Sequence, residues 1–192
     1  FEATQEGTYQ VVVTNTTTNC KQKDEAIVSK TYPAEEIFVT VTDNFTDNTT
    51  ITVLVNQTGS NNLIYSLDNG IWQDSNIFTG VNSGKHTINV MDLESCTNLT
   101  TEIFVIDYPK FFTPNGDNIN DNWNIIGLNQ KDAKLFIFDR YGKLIKQLST
   151  TSKGWDGNYN GEKLPSSDYW FTLDFTENGV PKQFKSHFAL KR

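Results

Sequence analysis

GTYQVVVTNTTTNC (residues 7–20) and GKHTINVMDLESC (residues 84–96) decide how this chain is read, because the second stretch echoes the first. Gly7, Val11, Val13 and Cys20 recur as Gly84, Ile88, Val90 and Cys96. Downstream, AIVSKTYP (26–33) aligns with EIFVIDYP (102–109), which carries Tyr32-Pro33 onto Tyr108-Pro109. The offset is 77 before a single-residue indel and 76 after it. A fixed period of this length signals a structural repeat. Within each copy apolar residues alternate, as in Tyr9, Val11, Val13 and in Ile88, Val90, which predicts strands with one buried face.

Between the copies, EIFVTVTD (36–43), TTITVLVNQ (49–57), NLIYSLDNG (62–70), WQDSNIFTGV (72–81) and HTINVMD (86–92) are separated by Asn, Asp, Gly and Ser turns. Short strands at this spacing predict an antiparallel β-sandwich of about 75 residues. No stretch carries a 3.6-residue stripe. The expected fold is all-β, with tandem Ig-like antiparallel β-sandwiches. Residues 1–34 match only the second half of a repeat, so they are expected to be the carboxyl-terminal half of a truncated copy. Residues 35–109 form a complete copy, and 110–192 a separate terminal module. Phe1 is not an initiator methionine, and the expectation is a processed chain or fragment from the end of a longer tandem array whose sandwiches, joined by short Tyr-Pro linkers, make a stalk.

Charge supports the division. Residues 1–109 hold 4 Lys+Arg and 14 Asp+Glu, whereas 110–192 hold 12 and 9, so a net −10 gives way to +3. Aromatics shift too, with 10 of 24 in the first part and 14 in the second. The overall −7 argues against a nucleic-acid binder, which needs clustered cations against phosphate. No apolar run reaches the roughly 18 residues of a membrane-spanning helix.

Cys20 and Cys96, related by translation along an array, should lie tens of ångströms apart, beyond the roughly 7 Å Cα limit of a disulfide, so they are not expected to pair. Cys96 is expected to be a small, largely buried side chain. Five N-x-T sequons, at Asn15, Asn44, Asn48, Asn56 and Asn98, follow from the abundance of Asn and Thr. With YSLDNGIWQDSNIFTGVNSGKHTINVMDLESC in view, residues 36–108 resemble the SprB-type repeat of giant gliding-motility adhesins of Bacteroidetes.

In the terminal module, KLFIFDR (134–140) and KLIKQL (143–148) predict a hairpin closed at Arg140-Tyr141-Gly142, with glycine supplying a positive φ. YWFTLDF (169–175) and QFKSHFALK (183–191) bracket an Asn178-Gly179 turn signal. GWDGNYNGEKLPSSD (154–168) is too rich in Gly, Asn and Ser for a strand and predicts a long ordered loop. The dense aromatics are read as core, since a small domain needs large buried side chains.

The blocks FFTPNGDNINDNW (111–123), IFDRYGKLI (137–145), GWDGNYNGEKLPSSDYWF (154–171) and HFALKR (187–192) resemble, in order and up to the last residue, the gliding-motility-associated carboxyl-terminal domain, the type B sorting domain of the type 9 secretion system. Carried onto this chain, the motif falls on Phe112, Pro114, Asn115, Gly116, Asp117, Asp121 and Trp123, then on Asp139, Arg140 and Gly142. It continues with Trp155, Asp156, Gly157, Pro165 and Tyr169 and ends on Lys191 and Arg192. Asn118 stands where the family usually has Gly, a departure that a left-handed turn tolerates. The resemblance implies a folded signal for export across the outer membrane, recognised by the translocon and by an outer-membrane β-barrel partner of the PorP/SprF family. It also implies display on the extracellular side of the outer membrane, with no transmembrane segment of the chain's own. Lys131, Lys134, Arg140, Lys143, Lys146, Lys185, Lys191 and Arg192 would suit an acidic receptor.

Chemistry on the chain itself is sparse. Asn115, Asp117 and Asp121 place oxygen donors at the spacing of a calcium loop, but the fifth position is Ile119, which cannot ligate through its side chain. Asx turns explain the same residues without a metal, and no cofactor is expected. In the opening turn, Phe111 and Phe112 are expected in the core, Ile119 as a staple and Trp123 at the start of a strand. His86 and His187 sit in no zinc or triad spacing, no phosphate-cradling glycine motif occurs, and an acid/base pair of Asp156 and Asp168 is outweighed by a turn stack held by Trp155, so no enzyme is expected. The alternative from another class is a calcium-assisted carbohydrate-binding module stacking sugars on Trp155, Tyr159 and Trp170.

Overall fold

The computed structural model describes residues 1–192 apart from 31, 43, 57–61, 94–96 and 178. Every regular element among the described residues is a strand, as the alternation demands. β1 (Gly7–Thr14) and β2 (Lys21–Val28) form an antiparallel hairpin in register from Gly7↔Val28 to Thr14↔Lys21. Its expected buried face is absent. Val11, Val13 and Ile27 stand exposed, Val13 at 64 %, and no residue of the hairpin joins either core. Alternation produced the strands, but no second layer among the described residues covers them.

The next six strands do form two layers. They are β3 (Glu36–Thr42), β4 (Thr50–Asn56), β5 (Leu63–Leu67), β6 (Ile77–Thr79), β7 (Gly84–Asp92) and β8 (Asn98–Val105). One sheet has the order β3-β4-β6 and the other β5-β7-β8, all antiparallel. Ile51 and Val53 from the first sheet meet Tyr65, Ile88, Val90, Ile103 and Val105 from the second in one aliphatic core. The strand expected over 72–81 shrinks to three residues, because the Gln73 side chain donates to the Ser75 and Ile77 carbonyls and curls the chain before β6. Gly84 pairs with Val105 as Gly7 pairs with Val28. The separation is 77 in both strands (84 − 7 and 105 − 28). Cys20 is exposed, and Cys96 lies outside the described residues.

The remaining strands are β9 (Phe111–Phe112), β10 (Lys134–Phe138), β11 (Leu144–Leu148), β12 (Asn158–Tyr159), β13 (Glu162–Lys163), β14 (Ser167–Glu177) and β15 (Val180–Leu190). Five of them make one sheet, β11-β10-β14-β15-β9, antiparallel except where β9 runs parallel to β15. The β10–β11 hairpin turns as expected, with Gly142 at φ 80°. Asn178 of the expected Asn178-Gly179 turn lies outside the described residues. The stretch 154–168 is not wholly loop, for β12 and β13 make a miniature hairpin within it.

The second layer of this module is irregular. Trp123 starts no strand, contrary to expectation; its backbone forms an isolated bridge with Trp155, and both indoles are buried over the sheet. They join Phe112, Phe171, Phe188 and Leu190 in an aromatic core that also takes in Ile106 and Tyr108 from the connection between the modules. Phe111 is not in that core. Adjacent residues of a strand point to opposite faces, so with Phe112 fully buried Phe111 is turned outward at 45 % exposure, its ring under the Lys191 ammonium. Ile119 is 65 % exposed and staples nothing, since its part in the turn is played by its backbone amide.

Candidate functional site

β14 begins, β15 ends and the β10–β11 turn folds back at one end of the five-stranded sheet. The motif blocks gather there. The first block leaves β9 and coils through residues 113–121, with positive φ at Gly116 (88°), Asn118 (67°) and Asn120 (53°). Such a path points several amides inward, and the Asp121 carboxylate receives them. Its Oδ1 accepts from the amides of Asn115 (2.8 Å) and Gly116 (2.7 Å), and its Oδ2 from Asn118 (2.7 Å). The Gly116 amide, helped by those of Asn118 and Asn115, holds the Asp121 carboxyl below its ordinary range against a smaller opposing effect of burial. Asp117 accepts from the Ile119 amide and from Asn115 Nδ2, both at 2.8 Å. The oxygens proposed as calcium ligands thus already serve N–H donors, and Asn118 takes the left-handed conformation its position requires.

Behind the turn, Trp123 stacks on Phe188 with ring centroids 3.6 Å apart and donates Nε1–H to the Pro109 carbonyl at 2.7 Å. Trp155 is enclosed by Phe112, Tyr169 and Phe188 and donates Nε1–H to the Asn158 carbonyl. Reciprocal backbone bonds of 2.9 and 2.8 Å tie the two tryptophans together. Tyr169 donates its hydroxyl to Pro165, and burial pushes its phenol pKa up despite the nearby Arg140 and Arg192.

The last residue closes the cluster. The Arg192 guanidinium donates to the carbonyls of Leu164 (3.0 Å), Gly157 (3.1 Å) and Pro114 (3.5 Å), and its amide donates to Ser166 Oγ (2.9 Å). One planar cation therefore joins the first block, the third block and the carboxyl terminus, a task suited to its fan of donors. Gly157 leaves the room: at φ 78°, an added Cβ would stand 2.7 Å from the Leu190 Cδ1 and 3.0 Å from the guanidinium. Lys191 donates its amide to the Phe112 carbonyl.

The second block is anchored separately. Asp139 Oδ1 accepts from the amides of Tyr141 and Lys143, both at 2.9 Å, and Arg140 reaches Ser167 Oγ at 2.8 Å. Between this turn and residues 159–169 lies a cavity of ≈ 370 Å³ whose walls include Arg140, Tyr159 and Tyr169. Four of the cations expected to face a receptor are engaged at this end: Arg140 and Arg192 as described, Lys143 over the Tyr159 ring, and Lys191 over Phe111. Lys131, Lys134, Lys146 and Lys185 stand exposed on the sheet and its far turns.

The three sugar platforms of the alternative reading are not brought together. Trp155 is buried and offers no face to a ligand, Tyr159 is covered by Lys143, and Trp170 lies on the outward sheet face beside His187. Asp156 is bound to Asn158 rather than paired with Asp168. Among the described residues, no three His, Cys, Asp or Glu side chains gather as a metal group. No helix of the described residues is long and apolar enough to cross a membrane. Sequence reasoning missed Leu164, Ser166 and Ser167, whose carbonyl and hydroxyls have no signature of their own.

Compared with known families, residues 106–190 match the model of the CHU_C Type IX secretion signal domain. No curated protein matches the chain.

Proposed function

Residues 106–190 are a type IX secretion signal domain, a carboxyl-terminal sorting signal for secretion to the cell surface, and from this premise we propose that the chain is the end of a large gliding or adhesion protein. In this reading the signal is a folded surface rather than a linear tag. The loop end of the five-stranded sheet, latched by Arg192, is what the type IX translocon and a PorP/SprF-family outer-membrane barrel recognise. The carrying observation is that residues from the first block, the third block and the carboxyl terminus meet at one guanidinium. Only the folded chain assembles such a surface.

The sandwich of residues 36–105 and the hairpin of residues 7–28 serve as stalk. Their matched pairing registers and their acidic composition favour reach over chemistry. The test is display of the parent protein after deletion of residues 110–192. Cargo retained in the periplasm is expected, together with loss of a co-purifying outer-membrane barrel. Normal surface display of the truncated protein would overturn the proposal.

A further inference from the structure

At the opposite end of the terminal sheet, where β14 ends and β15 begins, the structure holds a second organised feature. The turn between β3 and β4 reaches out of the sandwich and inserts into the signal domain. Asn44 makes two bonds across the seam: its Nδ2–H donates to Glu177 Oε1 at 2.6 Å, and its Oδ1 accepts from the Ile106 amide at 3.0 Å. The Phe45 amide donates to the Ile106 carbonyl at 2.9 Å. The Phe45 ring stacks on Phe184, with centroids 3.8 Å apart and planes 6° from parallel, and meets Phe175 edge-on at 5.8 Å.

The conformation of Phe45 shows that this contact is built. Its φ is 68°, the left-handed region, which costs a bulky residue on the order of 1 kcal/mol or more and persists only where surroundings impose it. The surroundings here are the ring stack and three hydrogen bonds. Glu177 is held ready: hydrogen bonds from Lys182 first and Asn44 second keep its carboxyl below the ordinary range despite partial burial. Gly127 completes the seam, for a Cβ there would overlap the Val105 carbonyl at the end of β8. A cavity of ≈ 280 Å³ remains between Val39, Phe104, Leu128 and Thr176, so apolar packing elsewhere along the seam is incomplete. The coupling therefore rests on the inserted turn.

We propose that the signal domain carries a binding cradle for an asparagine-phenylalanine turn, formed by Phe175, Phe184, Glu177 and the Ile106 backbone, and that the preceding sandwich fills it. Occupied, the cradle makes residues 36–190 one rigid unit whose loop end points away from the sandwich. It also gives the Asn44 sequon a structural use, since both atoms of its amide group are committed. The inference goes beyond the export reading and shares no measurement with it, so either can fail alone.

The experiment compares backbone ¹⁵N relaxation in the full chain with that of Phe45→Ala, Phe45→Gly and Asn44→Ala. In the wild type, strands β3 to β8 and β9 to β15 are expected to tumble with one correlation time. Both Phe45 variants should split it into two shorter ones, and the glycine variant, which keeps the left-handed turn without strain, separates the ring's role from the turn's. Asn44→Ala, which leaves the ring in place and guards against a Phe45 variant that does not fold, should speed exchange of the Ile106 amide by about tenfold or more, as loss of a partly buried acceptor predicts. Two correlation times in the wild type, a single one in Phe45→Gly, or unchanged Ile106 exchange in Asn44→Ala would overturn the proposal.

Discussion

The sandwich of residues 36–105 and the module that follows solve the same burial problem with different materials. In the sandwich, two sheets face each other, and Ile51, Val53, Ile88, Val90 and Val105 close the gap with aliphatic side chains. In the terminal module a single sheet is covered by looping chain, and the core is Trp123, Trp155, Phe112, Phe171 and Phe188. Pleated strands place small side chains at regular spacing, so two sheets interlock without special residues. A loop layer has no such regularity. Large rings must fill uneven space, and side chains such as Asp121 and Arg192 must satisfy amides and carbonyls that no strand partner serves. The module whose second layer is irregular is the one that matches the type IX secretion signal domain.

The sharpest way to break this contrast is truncation of each core. Trp123→Ala should cost about 3–5 kcal/mol, whereas Ile88→Val in the sandwich should cost about 0.5–1.5 kcal/mol. Denaturation followed by tryptophan fluorescence and by near-ultraviolet circular dichroism measures both, and equal costs would remove the distinction. Removing the latch is a smaller perturbation. Arg192→Ala should destabilise the terminal module by about 1 kcal/mol, toward the low end for charged hydrogen bonds because the side chain borders solvent. Arg192→Lys should not restore it, since an ammonium cannot span the Leu164, Gly157 and Pro114 carbonyls; full recovery would show that charge alone suffices.

The smallest effect is a pH dependence of the 113–121 turn. Asp121 has a lowered pKa in the folded chain, so its contribution is present above the ordinary aspartate value and is lost as pH falls through the folded value. Acid should therefore loosen the 113–121 turn. Protection of the Asn115, Gly116 and Asn118 amides, measured as exchange relative to the intrinsic rate at each pH, is expected to fall below about pH 4, and Asp121→Asn should show lowered protection already at neutral pH. Exchange that tracks pH identically in the variant and the wild type would assign the turn's stability to other groups.

Much of this architecture was legible in the chain. Alternation located the hairpins, the glycine and asparagine signals located their turns, and the left-handed preference of Asn118 was readable at its position. The same alternation could have told that Phe111 and Phe112 cannot both be buried, since neighbours in a strand face apart. Other readings needed the fold. Val11 and Val13 carry the same pattern as Ile88 and Val90, yet one pair stands in solvent and the other has no exposed surface, because a strand's pattern states which face is apolar and not what will cover it.

By itself, then, the sequence determined most of the strands, the aromatic content of the terminal core and the likeness of the last module to a secretion signal domain. Tertiary structure alone decided that Arg192 would bind three distant carbonyls, that Trp155 would be sealed from any ligand, and that Phe45 would leave its own domain to stack on Phe184. The reason is physical. Periodicity and turn chemistry act between near neighbours and leave a mark in local order, whereas a carbonyl or ring recruited from a distant part of the chain, as Pro114 is by Arg192 or Phe184 by Phe45, is chosen by shape and reach once the layers have closed.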